Sequence, residues 1–412
     1  MTCVISNRIV LSRVPEGPLA VYVGPFADFL SFQGYELKYM HRQVYLAACF
    51  SRWLQREGVA LPHMTTEHAK QYLCDRARQL KPHPGDAAAL QHVMDFLHSQ
   101  GVVAAETRPV RQRTPAERCT QQYEQYLREV RGLAKATLLN YVPFIDRFLT
   151  DRFADGPITL SCLRARDVVR FVQRQAPRLY QKRAKLMTSA LRSFLQYAQY
   201  RGEVELDLAA AVPVVPNWSM PSIPRAISAD HVRQLLASID QRTAMGRRDY
   251  AIVQLLARLG LRSSEVVHLE LDDIDWNHAT LTVCSKGGLR HEFPLAPEVG
   301  QAIAAYLCDG RPLSTSRRVF LRAKAPIRGF RNASGVGSIV RHALQRAGIQ
   351  APTYGVHQFR HGLATELLRQ GASLSEIGAV LGHRHPQTTM IYTKVDLEAL
   401  RTLALPWPGG AQ

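Results

Sequence analysis

From about residue 15 to 210 the apolar positions recur mostly at helical spacing. In QVYLAACFSRWLQREG, Val44, Ala47, Ala48, Ser51 and Leu54 share one side, with Arg52 and Gln55 opposite. TLLNYVPFIDRFLTDRF reads the same way, and FSRWL (Phe50 to Leu54) can be laid over IDRFL (Ile145 to Leu149). Each of these helices precedes a second one, in MTTEHAKQYL and in LSCLRARDVVRFV. Each half then closes on a helix ending in glycine, at Gly101 and Gly202, a residue suited to a helix C-cap. The pattern predicts two diverged copies of a small helical bundle about 95 to 100 residues apart.

A basic, apolar-poor stretch at about 105 to 116 separates the copies. A second connector follows, where Pro213, Pro216, Pro221 and Pro224 exclude a helix and predict an extended, semi-rigid linker. Beyond it Ser228 is positioned to cap a helix in SADHVRQLLASID. RRDYAIVQLLARLG reads as a long buried helix, and RSSEVVHLELDDIDW as a short one. ATLTVCSKGGLRHEFPL instead alternates, carries β-formers and has Gly287-Gly288 at its middle, which predicts a hairpin. Helical spacing returns in VGSIVRHALQRAG, VHQFRHGLATELLRQG, SLSEIGAVLGH and PQTTMIYTKV. The expected fold is mainly α with a small antiparallel β-sheet. The expected domains are an N-terminal helical extension (1–108), a second helical bundle (115–210), a Pro-rich linker (211–224) and a C-terminal domain (225–412).

Charge adds a partner to this picture. The chain has 412 residues, and 52 Lys and Arg stand against 34 Asp and Glu, a formal charge of +18. The cations are spread along the chain, which points to basic faces on folded domains and to a polyanion such as nucleic acid. The seven cysteines are scattered and form no CxxC pair, so neither a disulfide framework nor a zinc site is expected, and a reducing cytoplasm fits. No apolar run approaches the roughly 20 residues that span a bilayer, and the start lacks the apolar core of a signal peptide.

The candidate chemistry is a set of cationic and imidazole groups at helix or turn starts. Arg262 follows a helix-ending glycine in LGLRSSE. Lys286 stands in the hairpin turn SKGG. His357 and Arg360, three apart in HQFRH, share one helix face. His383 follows Gly382, and Tyr392 comes nine residues later. Each alone has an ordinary structural explanation: a surface arginine, a solvated lysine, a core tyrosine. HRH at 383 to 385 suggests a metal only weakly, because no acidic or cysteine ligand clusters with it. Together the groups fit phosphoryl transfer. Two arginines can clamp one phosphate by bidentate bonds and stabilise the charge that gathers in its transition state. A tyrosine hydroxyl titrates near 10, so only about 0.1% is ionised at neutral pH, and nearby cations make the phenolate easier to form. Attack on phosphorus gives a covalent phosphotyrosine, and a lysine or histidine can protonate the departing sugar oxygen. Such a site needs neither metal nor ATP.

These residues, in this order, resemble the tyrosine recombinase (phage integrase) family. The matching pieces are LARLGLRSSEVVHLELDDIDW, SKGG…FPL, HQFRHGLATELLRQGASLSEIGAVLGH and TTMIYTKV, spanning roughly 225 to 400. The stretch from 115 to 210 resembles the family's helical core-binding (SAM-like) domain in pattern. The resemblance implies a site-specific recombinase or integrase that cuts and rejoins double-stranded DNA through a 3′-phosphotyrosyl link, serving a mobile element. By its terms Arg262 and Arg360 hold the scissile phosphate and Lys286 protonates the leaving 5′ oxygen. His357 takes or relays the tyrosine proton, His383 hydrogen-bonds the phosphate, and Tyr392 is the nucleophile. His361 and Glu265 match as structural support. The resemblance further implies a homotetramer on paired DNA sites, with related recombinases as further partners and exchange of C-terminal segments such as VDLEALRTLAL. Lys182, Arg183 and Lys185, near a helix start in RLYQKRAKLMTSALR, are candidates for DNA contact. The extension at 1–108 departs from the simple family plan. An arm-type DNA reader, a second clamp and a contact to a partner recombinase are its possible roles, DNA binding being the most economical. A type IB topoisomerase and a non-enzymatic DNA-binding regulator are the competing readings.

Overall fold

The computed structural model describes residues 3–5, 9–103, 113–154, 156–215, 225–284, 288, 290–351, 353–383 and 385–395. Lys286, most of both linkers and the segment after Val395 fall outside them. The chain divides into two units, Thr107–Pro221 and a second that joins Met1–Glu106 to Ser222–Gln412.

The first 103 residues open with an antiparallel pair, β1 (Cys3–Ile5) and β2 (Ile9–Leu11), which helical periodicity did not predict. Helices α1 (Val23–Phe32), α2 (Leu37–Arg56), α3 (Thr66–Gln79) and α4 (Asp86–Ser99) follow, with a single 3-10 turn at Leu61–His63 between α2 and α3. Val44, Ala47, Ala48, Ser51 and Leu54 are all buried, as the spacing of α2 requires. Ser51 is polar and satisfied: its Oγ accepts from the Leu19 amide (2.9 Å) and donates to the Glu16 carbonyl (2.6 Å).

The unit Thr107–Pro221 contains α5 (Pro115–Glu129), α6 (Lys135–Phe153), a 3-10 turn at Leu160–Cys162, α7 (Ala165–Gln175) and α8 (Gln181–Tyr200). Thr114 caps α5 by accepting from the Glu117 amide (3.1 Å), so the helix starts inside the stretch expected as linker. Its core is built on Tyr123, Phe148, Phe171 and Phe194.

The C-terminal segment runs α9 (Ala229–Ala237), α10 (Ala244–Arg258), α11 (Ser263–His268), β3 (Ile274–Asp275), β4 (Thr280–Cys284), β5 (Arg290–Pro294), α12 (Pro297–Asp309), α13 (Ser334–Arg346), α14 (His357–Arg369), α15 (Leu374–Val380), α16 (Pro386–Thr389) and a 3-10 stretch Met390–Val395. The short helix expected through RSSEVVHLELDDIDW ends at His268, and its tail supplies β3. The predicted hairpin is therefore two strands of a three-stranded antiparallel sheet, β3-β4-β5. Helix α10 is buried through Ala251, Ile252, Val253, Leu255 and Leu256. Near its start Arg248 is fully enclosed, paired with Asp249 (2.7 Å) and donating to the Leu321 carbonyl (3.1 Å). The helix stops at Arg258, and Gly260 (φ +61°) turns the chain where the candidate site begins. Among the described residues no helix is long and apolar enough to cross a membrane.

Candidate active site

Arg262 is the N-cap of α11. Its backbone N–H donates to Glu265 Oε2 (2.7 Å) and its Nη1 to Glu265 Oε1 (2.6 Å). One buried carboxylate, 5% exposed, thus caps the helix and aims the guanidinium. Arg360 lies one turn into α14 and is buried. It donates from Nη1 to the Gly260 carbonyl (2.8 Å) and from Nη2 to the Leu381 carbonyl, tying the end of α10 to the end of α15. Burial and the neighbouring Arg262 pull its pKa down to about 10, so it remains a cation at neutral pH. A guanidinium has five N–H donors, and these two bonds leave others for a ligand.

Tyr392 stands at the centre of a small apolar cluster with Ala364, Ile377 and Leu381, and is 1% exposed. Its hydroxyl meets His361 Nδ1 at 3.1 Å, with the two rings edge to face. Burial raises the tyrosine pKa, while the charges of Arg360 and Arg262 oppose that rise. The tyrosine is therefore a core residue by its ring, with its oxygen turned to His361. Its hydroxyl partner is His361, expected from the resemblance only as structural support, and not His357, the expected proton relay. His357 is exposed at the start of α14, and crowding by protein atoms followed by Arg360 and Arg262 holds its pKa down. No feature of HQFRH distinguishes the two histidines. Only the fold brings Tyr392 back across α14 to the second of them.

His383 follows Gly382 (φ +60°) and is fixed by Thr389 Oγ1, 2.8 Å from its Nδ1. Burial, then Arg360 and Arg262, push its pKa to about 4, so the ring is neutral at pH 7. His291 on β5 is a further neighbour that sequence reasoning missed. It packs its ring on Gly382, where an added Cβ would lie 3.1 Å from its Nε2, and that nitrogen is buried with no hydrogen-bond partner. The structure thus brings Arg262, His357, Arg360, His383 and Tyr392 into one electrostatic cluster. Lys286, between β4 and β5 in the sequence, lies outside the described residues. His385 is exposed. Among the described residues no three His, Cys, Asp or Glu side chains are grouped to hold a metal ion.

Two outcomes follow from this geometry. Gly382→Ala combines a left-handed backbone, costing about 1 kcal/mol for a residue with a Cβ, with a contact against His291. It should displace His383 and lower covalent adduct formation on DNA at least tenfold, measured beside the thermal midpoint. Acid should also loosen the fold. Unfolded His383 takes up a proton near pH 6.5, whereas the folded ring stays neutral down to about 4. Stability present above pH 6.5 is therefore lost as pH falls toward 4. Thermal melts across that range should show a steeper fall for the parent chain than for His383→Gln.

The phage integrase catalytic model matches residues 225–398, and the phage integrase N-terminal SAM-like model matches 120–202. The chain is 57% identical over 408 residues to y4rA of Sinorhizobium fredii, named as an integrase/recombinase, covering 99% of both chains. It is 32% identical over 308 residues to the tyrosine recombinase XerD of Mycobacterium tuberculosis, covering 70% of this chain and 96% of that one. Among solved structures, XerH recombinase in a post-cleavage complex with its difH substrate aligns with a TM-score of 0.56 at 18% identity. That match covers 70% of this chain and 84% of the other. A lambda integrase (75–356) dimer bound to a core site aligns at 0.51 and 17% identity, over 67% and 94%. Site and comparisons agree: the chain belongs to the phage integrase family of tyrosine recombinases, enzymes of DNA strand transfer.

Proposed function

We propose that this recombinase exchanges duplex DNA at specific sites of a mobile element, with Tyr392 as nucleophile. The observation that carries this reading is the Tyr392 hydroxyl, held by His361 within the electrostatic reach of Arg262 and Arg360. A scissile phosphate seated among the arginines would accept their N–H bonds, with neutral His383 donating from the ring nitrogen that Thr389 leaves free. The phenolic oxygen attacks phosphorus while its proton passes to His361, with His357 as the second candidate. The P–O5′ bond breaks, and Lys286 gives the leaving oxygen its proton. A 3′-phosphotyrosyl bond and a free 5′-hydroxyl result, and attack by a 5′-hydroxyl from the other duplex reverses the step. The bond count is conserved, so the step consumes no nucleotide.

Exchange between two duplexes breaks four strands, and each site of this kind cuts one. A homotetramer on paired sites, with or without related recombinases, follows from that count. Lys182 and Lys185, exposed at the start of α8, are the proposed phosphate contacts of the second bundle. Arg183 beside them donates to Asn140 Oδ1 (3.0 Å) and lies over Phe144. The test is capture of covalently linked DNA from denatured cells carrying the native locus, followed by sequencing. Recovery of two recurrent junctions, and strand exchange between plasmid copies of them, is the expected result. Site-independent plasmid relaxation without exchange would mark a topoisomerase instead.

A further inference from the structure

The first bundle repeats the second element by element. Gly34 and Gly132, 98 residues apart, make the first turn of each at φ +77° and +58°. At that same offset Met40 and Leu138, Ala47 and Ile145, and Phe50 and Phe148 are buried in α2 and α6. The 3-10 turns Leu61–His63 and Leu160–Cys162 are 99 apart. So are the caps that follow, where the Thr65 amide donates to His68 Nδ1 (3.1 Å) and the Arg164 amide to Asp167 Oδ2 (3.0 Å). Gly101 and Gly202 end the last helices at φ +69° and +71°.

One difference is concentrated where the second bundle presents its cations. Counted back from those final glycines, α8 begins about six residues before α4. The added turns carry Lys182, Arg183 and Lys185. In the first bundle the equivalent stretch is Leu-Lys-Pro-His-Pro-Gly, and Pro82 and Pro84 forbid those turns. The helix opens instead on buried Asp86, which Arg42 neutralises at 2.5 Å. Residues 20–103 hold eight Lys and Arg against seven Asp and Glu, whereas 114–203 hold sixteen against eight. A near-neutral bundle has little excess of cations for the counterion release that drives duplex binding.

The first bundle carries a contact from the catalytic segment. In the catalytic segment the loop from Arg322 to Gly329 is closed by a bridge between Leu321 and Gly329 and by the Arg322 amide donating to the Arg328 carbonyl (2.9 Å). Its Ile327 amide donates to the Gln33 carbonyl (2.9 Å) in the α1–α2 turn. Ile327 Cγ1 occupies the space a side chain on Gly34 would need, 2.4 Å from where its Cβ would stand. Beside this turn Tyr35 reaches back into its own bundle, with its hydroxyl 3.3 Å from His92 Nε2 on α4.

We propose that the first bundle is a duplicate of the core-binding bundle converted from DNA recognition to protein docking, and that its ligand is the Arg322–Gly329 loop of the same chain. The DNA half of this proposal rests on the recombinase reading; the docking half does not. Hydrogen–deuterium exchange on the full chain tests docking. Gly34→Leu and, from the opposite side, Ile327→Ala should each raise exchange at least tenfold across 322–329 and at Tyr35–Glu36, leaving α10 unchanged. Unchanged protection at 322–329 in both variants would overturn it. For DNA, affinity for a 30-bp duplex is measured against salt. Lys182→Gln with Lys185→Gln should weaken binding at least tenfold and reduce the salt slope by about 2. Lys38→Gln, Arg56→Gln and Lys81→Gln together should change affinity less than threefold. An equal loss in the triple variant would return the first bundle to the DNA-binding surface.

Discussion

Tyr392→Phe should abolish covalent attachment to DNA, by at least about a thousandfold, while leaving duplex affinity within a factor of about two. The ring is core, so phenylalanine keeps its contacts with Ala364, Ile377 and Leu381. Only the hydroxyl is lost, together with its bond to His361. Losing one such bond costs about 1 kcal/mol, and the variant should fold with a thermal midpoint a few degrees lower. Activity and stability therefore separate at this position. A gel of DNA–protein adducts after denaturation, beside a binding isotherm for the same samples, makes the measurement.

Arg360→Lys should have the second largest effect, and there the two quantities should fall together. The guanidinium joins the Gly260 carbonyl at the end of α10 to the Leu381 carbonyl at the end of α15. A lysine ammonium keeps the charge but lacks the planar fork that reaches both carbonyls and a phosphate. Bonds from a charged donor contribute about 1.5–3 kcal/mol each, so losing one of them should destabilise the chain by about 2 kcal/mol. Adduct formation should drop at least a hundredfold, because the same displacement moves Gly382 and His383. Retention of the parent midpoint with loss of activity would show that Arg360 acts on phosphate alone.

Much of the candidate site is legible in the sequence because its parts are local. A glycine two residues before Arg262 marks a helix end, and three-residue spacing puts His357 and Arg360 on one face. The pairing of Tyr392 with His361 was not legible, since 31 residues separate them and the contact exists only after α15 turns the chain back. Glu265 could be recognised as Arg262's neighbour, but its double role as cap and ion-pair partner needed the α11 boundary. In the fold, β3 was missed because two residues carry no alternation, and β1–β2 because three-residue strands carry little more. The overlay of FSRWL on IDRFL pairs Phe50 with Ile145, Trp53 with Phe148 and Leu54 with Leu149, all of them buried. The turns at Gly34 and Gly132 instead pair Phe50 with Phe148, three residues further on. A shift of three residues preserves helical periodicity, so pattern alone cannot choose between the two, whereas the paired glycines at 34 and 132 can. The loss of α8's first turns in the first bundle was written plainly in Pro82 and Pro84. It gained meaning only once the two bundles could be compared element by element.

The proposed chemistry turns on Tyr392 forming a bond to DNA phosphorus within this cluster. Its most direct test is mass spectrometry of the peptide that stays linked to DNA after denaturation, nuclease digestion and proteolysis. The expected product is a nucleotide attached through its 3′-phosphate to Tyr392, with no linked peptide from Tyr392→Phe. A nucleotide on any other residue, or an undiminished adduct in that variant, would contradict it.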